Sequence, residues 1–417
     1  MEKRAETDTT FIIPGPAAVK LVAGEASIFE AKLIADTKVI VRKGRRLPIE
    51  VKSGTIIEIT SEDPIEIVEI SGSTIPLSWR NAANEALSCA KQCKVVILGS
   101  TDCGKTSFCT FLANVAIQHG RKVAIIDADI GQSDIGPPTT MGLGLITKPI
   151  FDPFLVEAKE IFFVGSTNPR HVEESIYEGI LYLIKKSEEL NVDFLVINTD
   201  GWVQDEEAKQ YKICLLKKIY PSIICVQSDE ELKPILSAFD VLAFRILCLN
   251  VPSIIRKRTK NERKELREQG YRKYLKEGSI RVLSLKETSI VNVQASRFFK
   301  TETLNILETI LESKLLFVEE YGDYLLLVLT DHNEIIEEKV KMIENSIGKP
   351  VRITNGKGLL AALFDDNGVF LGLAVVQSID IAQQKIKIYT PYKGKISFIK
   401  LGRIKVTNQG SELGLAL

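Results

Sequence analysis

The segment Gly99-Ser-Thr-Asp-Cys-Gly104-Lys105-Thr106 constrains this chain more than any other. It fits G-x-x-x-x-G-K-[ST], the phosphate-binding loop, and its surroundings suit that reading. The apolar run Lys94–Leu98 before it reads as a buried strand. Ser107–Gln118 after it reads as a helix, with Gly120 as its stop. The chemistry requires this order. Glycines let backbone N–H groups close around phosphate oxygens, and the helix N-terminus adds partial positive charge. Gly99, Ser100, Thr101, Asp102, Cys103, Gly104, Lys105, Thr106 and Ser107 are therefore the expected nucleotide contacts. Lys105 can reach the β- and γ-phosphates, and the Thr106 hydroxyl can ligate Mg²⁺. A glycine-rich turn that merely joins strand to helix is the bland alternative. Cys103 reads more simply as a small residue at a variable loop position than as a redox-sensitive thiol.

The next apolar run, Val123–Ile126, ends in Asp127-Ala-Asp129, followed by Gly131 and Gln132. In an open α/β sheet the carboxyl ends of strands line the ligand crevice, so these carboxylates are expected beside the phosphate loop. Alternation puts both on the same side of an extended strand. One could orient Mg²⁺ or its water while the other accepts a proton from an attacking hydroxyl. Gln132 could orient metal-bound water or the acceptor.

Asp-x-Asp-x-Gly-Gln following this type of loop resembles the polynucleotide 5′-hydroxyl kinase family. Thr199-Asp-Gly201-Trp202 is similar to that family's T-x-G-W clasp, and Phe163–Pro169 resembles a further family segment. Arg258 and Arg263, ahead of Arg267 and Arg272-Lys-Tyr274, resemble its arginine-bearing lid. The resemblance covers most of the chain and keeps the motif order. It implies ATP and Mg²⁺ as cofactors and the 5′-hydroxyl end of RNA or DNA as acceptor. By the same resemblance Lys105, Asp129, Arg258 and Arg263 are catalytic, Thr106 and Asp127 serve the metal, and Gln132, Thr199, Gly201 and Trp202 contact substrate. Trp202 has three readings that the sequence leaves open: shaping the site, stacking on a nucleobase, or plain packing.

Around the loop, the expected fold class is α/β: a P-loop parallel sheet with helices on both faces, flanked by N-terminal and C-terminal mainly-β domains. Residues 1–80 read as a β-sandwich-like domain from short β-branched runs at 37–42, 47–51 and 55–60. Residues 81–280 read as the kinase domain, entered by a helix over Asn81–Gln92 and carrying a basic lid at 256–276. Its strands are expected at 94–98, 122–127, 161–165, 193–198, 222–226 and 243–248, with helices over Glu173–Lys186 and Glu206–Lys218. Residues 281–417 read as mainly β, with strands at 324–329, 368–376 and 385–389 and helices near 301–313 and 335–346.

Composition removes several classes. Lys and Arg number 54 and so do Asp and Glu, so any polyanion contact must come from a local patch. No apolar run is long enough to span a bilayer, and the first residues lack a signal-peptide core, so no membrane association is expected. The expected compartment is cytoplasmic, or nuclear in a eukaryote. Seven cysteines without a C-x-x-C pair, and three histidines without ligand spacing, argue against a structural zinc site. A nucleotide-binding scaffold that recruits processing factors is the rival reading, with the β domains as docking surfaces for protein partners. The intact catalytic set argues against it. A regulatory GTPase is disfavoured by the lack of Asn-Lys-x-Asp. A kinase for nucleosides or other small molecules is a same-class alternative that stays open, although the β domains exceed what a small acceptor requires.

Overall fold

The computed structural model describes residues 1–89, 92–227, 232, 244–292, 301–321, 324–329 and 337–415. Positions 90–91, 243 and 335–336, which belong to expected elements, lie outside these. The chain divides into two compact units. The first comprises 1–136, 141–162 and 174–266; the second comprises 137–140, 163–173 and 267–417.

Within the first unit, the N-terminal residues form two antiparallel sheets. One runs in the order Glu2–Arg4, Ile56–Thr60, Ala17–Ala23, Lys38–Val41; the other runs Ala31–Lys32, Ala26–Ile28, Arg46–Val51, Thr9–Pro14, Val68–Ser71. Lys38–Val41 alternates strictly between exposed and buried, the period-2 signature of a strand with one dry face. Ile13, Val19, Ile28, Ile49 and Ile57 meet in the core, and that core continues into the helices and sheet that follow.

The central sheet contains β1 (Cys93–Leu98), β2 (Val123–Ala128), β3 (Thr140–Ile146), β4 (Ala158–Phe163), β5 (Phe194–Thr199), β6 (Ile223–Gln227) and β7 (Ile246–Leu249), in the order β4-β3-β2-β5-β1-β6-β7. β2, β5, β1, β6 and β7 are mutually parallel. β3 runs antiparallel to β2 and is an element the sequence reading did not anticipate. Its glycines suppress the strand signal, yet packing demands them. A Cβ on Gly142 would sit 1.8 Å from the Ile135 carbonyl oxygen, and one on Gly144 would sit 2.6 Å from Val156.

Helix α1 (Leu77–Leu87) begins earlier than expected because Pro76 precedes it and because Trp79, Ala82, Ala83 and Ala86 make its buried stripe. Trp79 packs edge-on against Phe108 of α2 (Lys105–Gln118), their ring centroids 5.1 Å apart. The opposite face of the sheet is also buried, through Val96, Ile126, Leu195 and Ile224. Helices α3 (Glu173–Glu189) and α4 (Glu206–Ile219) meet, the Tyr177 hydroxyl donating to the Tyr211 carbonyl at 3.2 Å. Asp205 caps α4 by accepting from the Ala208 amide at 2.8 Å.

In the second unit a sheet runs Ser279–Ser284, Lys385–Thr390, Phe370–Asp380, Leu359–Phe364, Phe398–Val406, Ser289–Asn292, with Glu412–Leu415 paired to Phe398–Val406. A smaller three-stranded sheet, Leu315–Tyr321, Tyr324–Leu329, Val351–Asn355, shares a core with the helices Thr301–Leu311 and Glu337–Ile347. No helix among the described residues is long and apolar enough to cross a membrane.

Candidate active site

The phosphate loop leaves β1 at Gly99 and enters α2 at Lys105. Gly104 stands at the helix N-cap with φ 101°, a left-handed conformation that glycine adopts without penalty. Among the described residues no side chain caps this helix, so its first amides point into the loop. Lys105 is only 6% exposed, and its Nζ donates to the carbonyls of Gly99 (3.0 Å) and Ser100 (2.8 Å). Cys103 is shut away beneath the loop, its Sγ donating to Gln227 Oε1 at 3.1 Å. The buried Nε2 of that glutamine has no partner among the described residues.

Asp127 and Asp129 stand at the end of β2 as alternation predicts, but their surroundings differ. Asp127 is buried. Its Oδ2 accepts from the amides of Asp134 (2.6 Å) and Ile135 (3.2 Å), and its Oδ1 accepts from Asn198 Nδ2 (3.0 Å). Burial, and then the charges of Asp134 and Asp129, push its pKa up to about 7, with the two amide hydrogen bonds opposing. Asp129 is half-buried, and its Oδ1 accepts from the amides of Gly131 (3.2 Å) and Gln132 (3.0 Å). Burial raises its pKa also, against the pull of Lys105. Asp129, Gln132, Lys105 and Thr106 line one cavity together with Asp102 and Arg258.

Asn198, at the end of β5, is a residue the sequence reading passed over. Its Nδ2 lies 3.4 Å from Thr106 Oγ1 as well as 3.0 Å from Asp127, so one amide gathers a hydroxyl and a carboxylate. Its Oδ1 is buried and has no partner among the described residues. Among the described residues no cluster of three or more His, Cys, Asp or Glu could hold a metal. A nucleotide-bound Mg²⁺ needs none, since phosphates and waters fill most of its shell. The converged Thr106 hydroxyl and Asp127 carboxylate, the excess negative charge around them and the unpartnered amide oxygen fit such an ion.

The lid residues reach the same loop. Helix α5 (Lys260–Leu275) starts with a capping box: the Glu262 amide donates to Thr259 Oγ1 (3.2 Å), and the Thr259 amide donates to Glu262 Oε2 (2.7 Å). Arg258 therefore precedes the helix while Arg263 sits in its first turn. The irregular spacing still lets both bind Asp102, Arg258 Nη1 at 2.8 Å and Arg263 Nη1 at 3.0 Å. Gln132 Nε2 donates to the Arg263 carbonyl at 3.3 Å.

The clasp residues take separate positions. Thr199 is fully buried, and its hydroxyl donates to the Ile97 carbonyl at 2.7 Å, tying β5 to β1. Gly201 lies against the phosphate loop: a Cβ there would stand 2.4 Å from Thr101 Oγ1. Trp202 stacks on Tyr211 with ring centroids 5.6 Å apart, and its indole N–H donates to Asp205 at 3.1 Å. Asp200 anchors this loop from below, accepting from the buried Lys212 Nζ (2.9 Å) and the Tyr211 hydroxyl (2.7 Å).

The N-terminal sheets contribute the far wall of the cavity, with Ile12, Phe29 and Pro48 beside Ile75 and Trp79. They also supply Arg42 and Arg45. Arg42 Nε donates to Asp152 (2.6 Å) and its Nη2 to Asp134 (3.1 Å), while Arg45 pairs with Asp134. No motif marked these residues, because their partners lie about a hundred positions away along the chain.

Comparison with known proteins follows the same lines. Residues 99–277 match a family model described as mRNA cleavage and polyadenylation factor CLP1 P-loop. A polyribonucleotide 5′-hydroxyl-kinase of Methanocaldococcus jannaschii is 30% identical over 344 residues, spanning 79% of this chain and 93% of that protein. One from Pyrococcus furiosus is 28% identical over 349 residues, spanning 82% and 95%. The polyribonucleotide 5′-hydroxyl-kinase Clp1 of Danio rerio is 25% identical over 292 residues, spanning 64% of each. The solved wild-type Clp1p–Pcf11p complex matches with a TM-score of 0.68 at 14% identity over 97% of both chains, a likeness of fold.

Proposed function

Because this chain belongs to the Clp1 family of polyribonucleotide 5′-hydroxyl kinases, we propose that it transfers the γ-phosphoryl group of ATP to the 5′-hydroxyl end of RNA. One observation carries the reading: a phosphate-loop lysine, the Asp129 carboxylate and two lid arginines gather about a single loop, with Asp127 linked to its Thr106 through Asn198.

The nucleotide's phosphates enter the concavity of Gly99–Ser107, and its base lies toward the apolar wall of Phe29, Ile75 and Trp79. Lys105 leaves the Gly99 and Ser100 carbonyls to hold the β- and γ-phosphates. Thr106 and Asp127 would hold Mg²⁺, which when bound would neutralise negative charge on the nucleotide's phosphates. Asp129, nearer the mouth than Asp127, takes the proton of the 5′-hydroxyl as that oxygen bonds to the γ-phosphorus. The bond from the γ-phosphorus to the β–γ bridging oxygen breaks, and ADP leaves. Arg258 and Arg263 move from Asp102 onto the phosphoryl group in flight, where its charge is spread over three oxygens. Gln132 orients the acceptor. Gly201 and Trp202 form the wall on the acceptor side, and Thr199 fixes the strand that carries them.

We keep residues 1–80, 81–280 and 281–417 as the functional division, with the cytoplasm as compartment and the flanking domains available to protein partners. The test is label transfer from γ-labelled ATP to matched 5′-hydroxyl RNA and DNA oligonucleotides. Transfer to RNA supports the reading. ATP binding without transfer to either supports a scaffold instead.

A further inference from the structure

Asn198 stands where three strands meet. In the sheet register it lies beside Ile97 of β1 on one side and Asp127 of β2 on the other. It is 2% exposed. Both of its short contacts are made by Nδ2, one to the Asp127 carboxylate and one to the Thr106 hydroxyl. Among the described residues its buried Oδ1 has no partner, whereas the neighbouring Thr199 hydroxyl is engaged by the Ile97 carbonyl. A group whose task was only to brace Asp127 would need a donor and nothing more.

Resting on the nucleotide and Mg²⁺ site proposed above, we infer that Asn198 is a positioning residue for the metal's oxygen shell. Its amide nitrogen holds the Thr106 hydroxyl and the Asp127 carboxylate together, and its amide oxygen accepts from a water of the ion's hydration shell. Mg²⁺ dehydrates reluctantly and keeps several waters when bound to nucleotide, and those waters need acceptors. The residue type follows from both duties. Aspartate would lack the donor that Asp127 accepts and would add a carboxylate to an already acidic corner. A hydrophobic residue would serve neither duty.

The test is equilibrium binding of a fluorescent ADP analogue, with and without MgCl₂ and with no acceptor present. For wild type, Mg²⁺ should tighten nucleotide binding. In Asn198→Ala that Mg²⁺-dependent gain should shrink about tenfold, roughly 1.4 kcal/mol of coupling, while metal-free affinity stays within about twofold. In Asn198→Asp the oxygen is kept but the donor to Asp127 and Thr106 is lost, so the gain should shrink by less than in Asn198→Ala, while the added charge weakens metal-free binding. An undiminished gain in Asn198→Ala overturns the inference. So does an equal loss of metal-free and metal-bound affinity, the mark of a purely bracing role. If the alanine variant does not fold, Asn198→Asp carries the test, and loss of its Mg²⁺ gain overturns the inference. Wild type showing no nucleotide binding, or no Mg²⁺ effect, would defeat the underlying site assignment as well.

Discussion

Arg258 grips Asp102 twice, its backbone amide donating to Oδ2 at 2.9 Å and its Nη1 to Oδ1 at 2.8 Å. Arg263 shares the same carboxylate. A side chain of the phosphate loop thus stands as the anion for both lid arginines, and a triphosphate must compete with it. Arg263→Ala should lower the single-turnover transfer rate by about a thousandfold while ATP affinity falls far less, since the charge it meets is greatest in the transition state. Arg258→Ala should behave alike. Rates comparable to wild type would show that the two arginines do no more than pair with Asp102.

Lys105→Ala removes the cation that curls over Gly99 and Ser100. Transfer should drop by about a hundredfold or more, with circular dichroism and melting close to wild type. A folded Lys105→Ala protein that transfers label normally would sink the phosphate-site assignment.

Asp127 binds protons more tightly in the folded chain than in the unfolded one, since its pKa rises from 3.8 to about 7. Between those values the native state holds the extra proton, so this residue's contribution to stability is greatest at the acid end and is lost as pH rises toward 7. Proton and Mg²⁺ compete for the carboxylate. Mg²⁺-dependent nucleotide binding should therefore strengthen as pH rises through about 7. Asp127→Asn should flatten the pH dependence of the metal-free melting temperature. An unchanged slope in that variant would contradict the assignment.

Arg42 and Asp152 form a pair with side chains 12% and 8% exposed, and Arg42 also reaches Asp134 in the loop after β2. Asp152→Ala strands part of a buried cation and should cost about 3–5 kcal/mol, read as a shift in denaturant midpoint at constant m-value. A shift below about 1 kcal/mol would show the pair to be solvated.

What the sequence disclosed depended on how local each signal was. The phosphate loop, Asp127 and Asp129 were legible because strand, turn and helix lie within a few dozen residues and each has its own chemistry. The lid was legible by resemblance, and its helix start is written in Thr259-x-x-Glu262, a capping box. β3 escaped because Gly142 and Gly144 answer to Ile135 and Val156 rather than to strand propensity. Arg42, Arg45 and the apolar wall escaped because side-chain pairing across separate sheets has no sequence period. Asn198 looked like the last polar residue of a strand. Only its neighbours across the sheet, Ile97 and Asp127, give it a role.

The most direct measurement pairs wild type with Asp129→Asn under single-turnover conditions, with γ-labelled ATP, Mg²⁺ and one RNA prepared with either a 5′-hydroxyl or a 5′-phosphate end. The account predicts that wild type labels only the 5′-hydroxyl RNA. It predicts that Asp129→Asn still binds ATP with Mg²⁺ yet transfers at least about a hundredfold more slowly. Label on the 5′-phosphate RNA, no label on either RNA, or full-rate transfer by Asp129→Asn would contradict it.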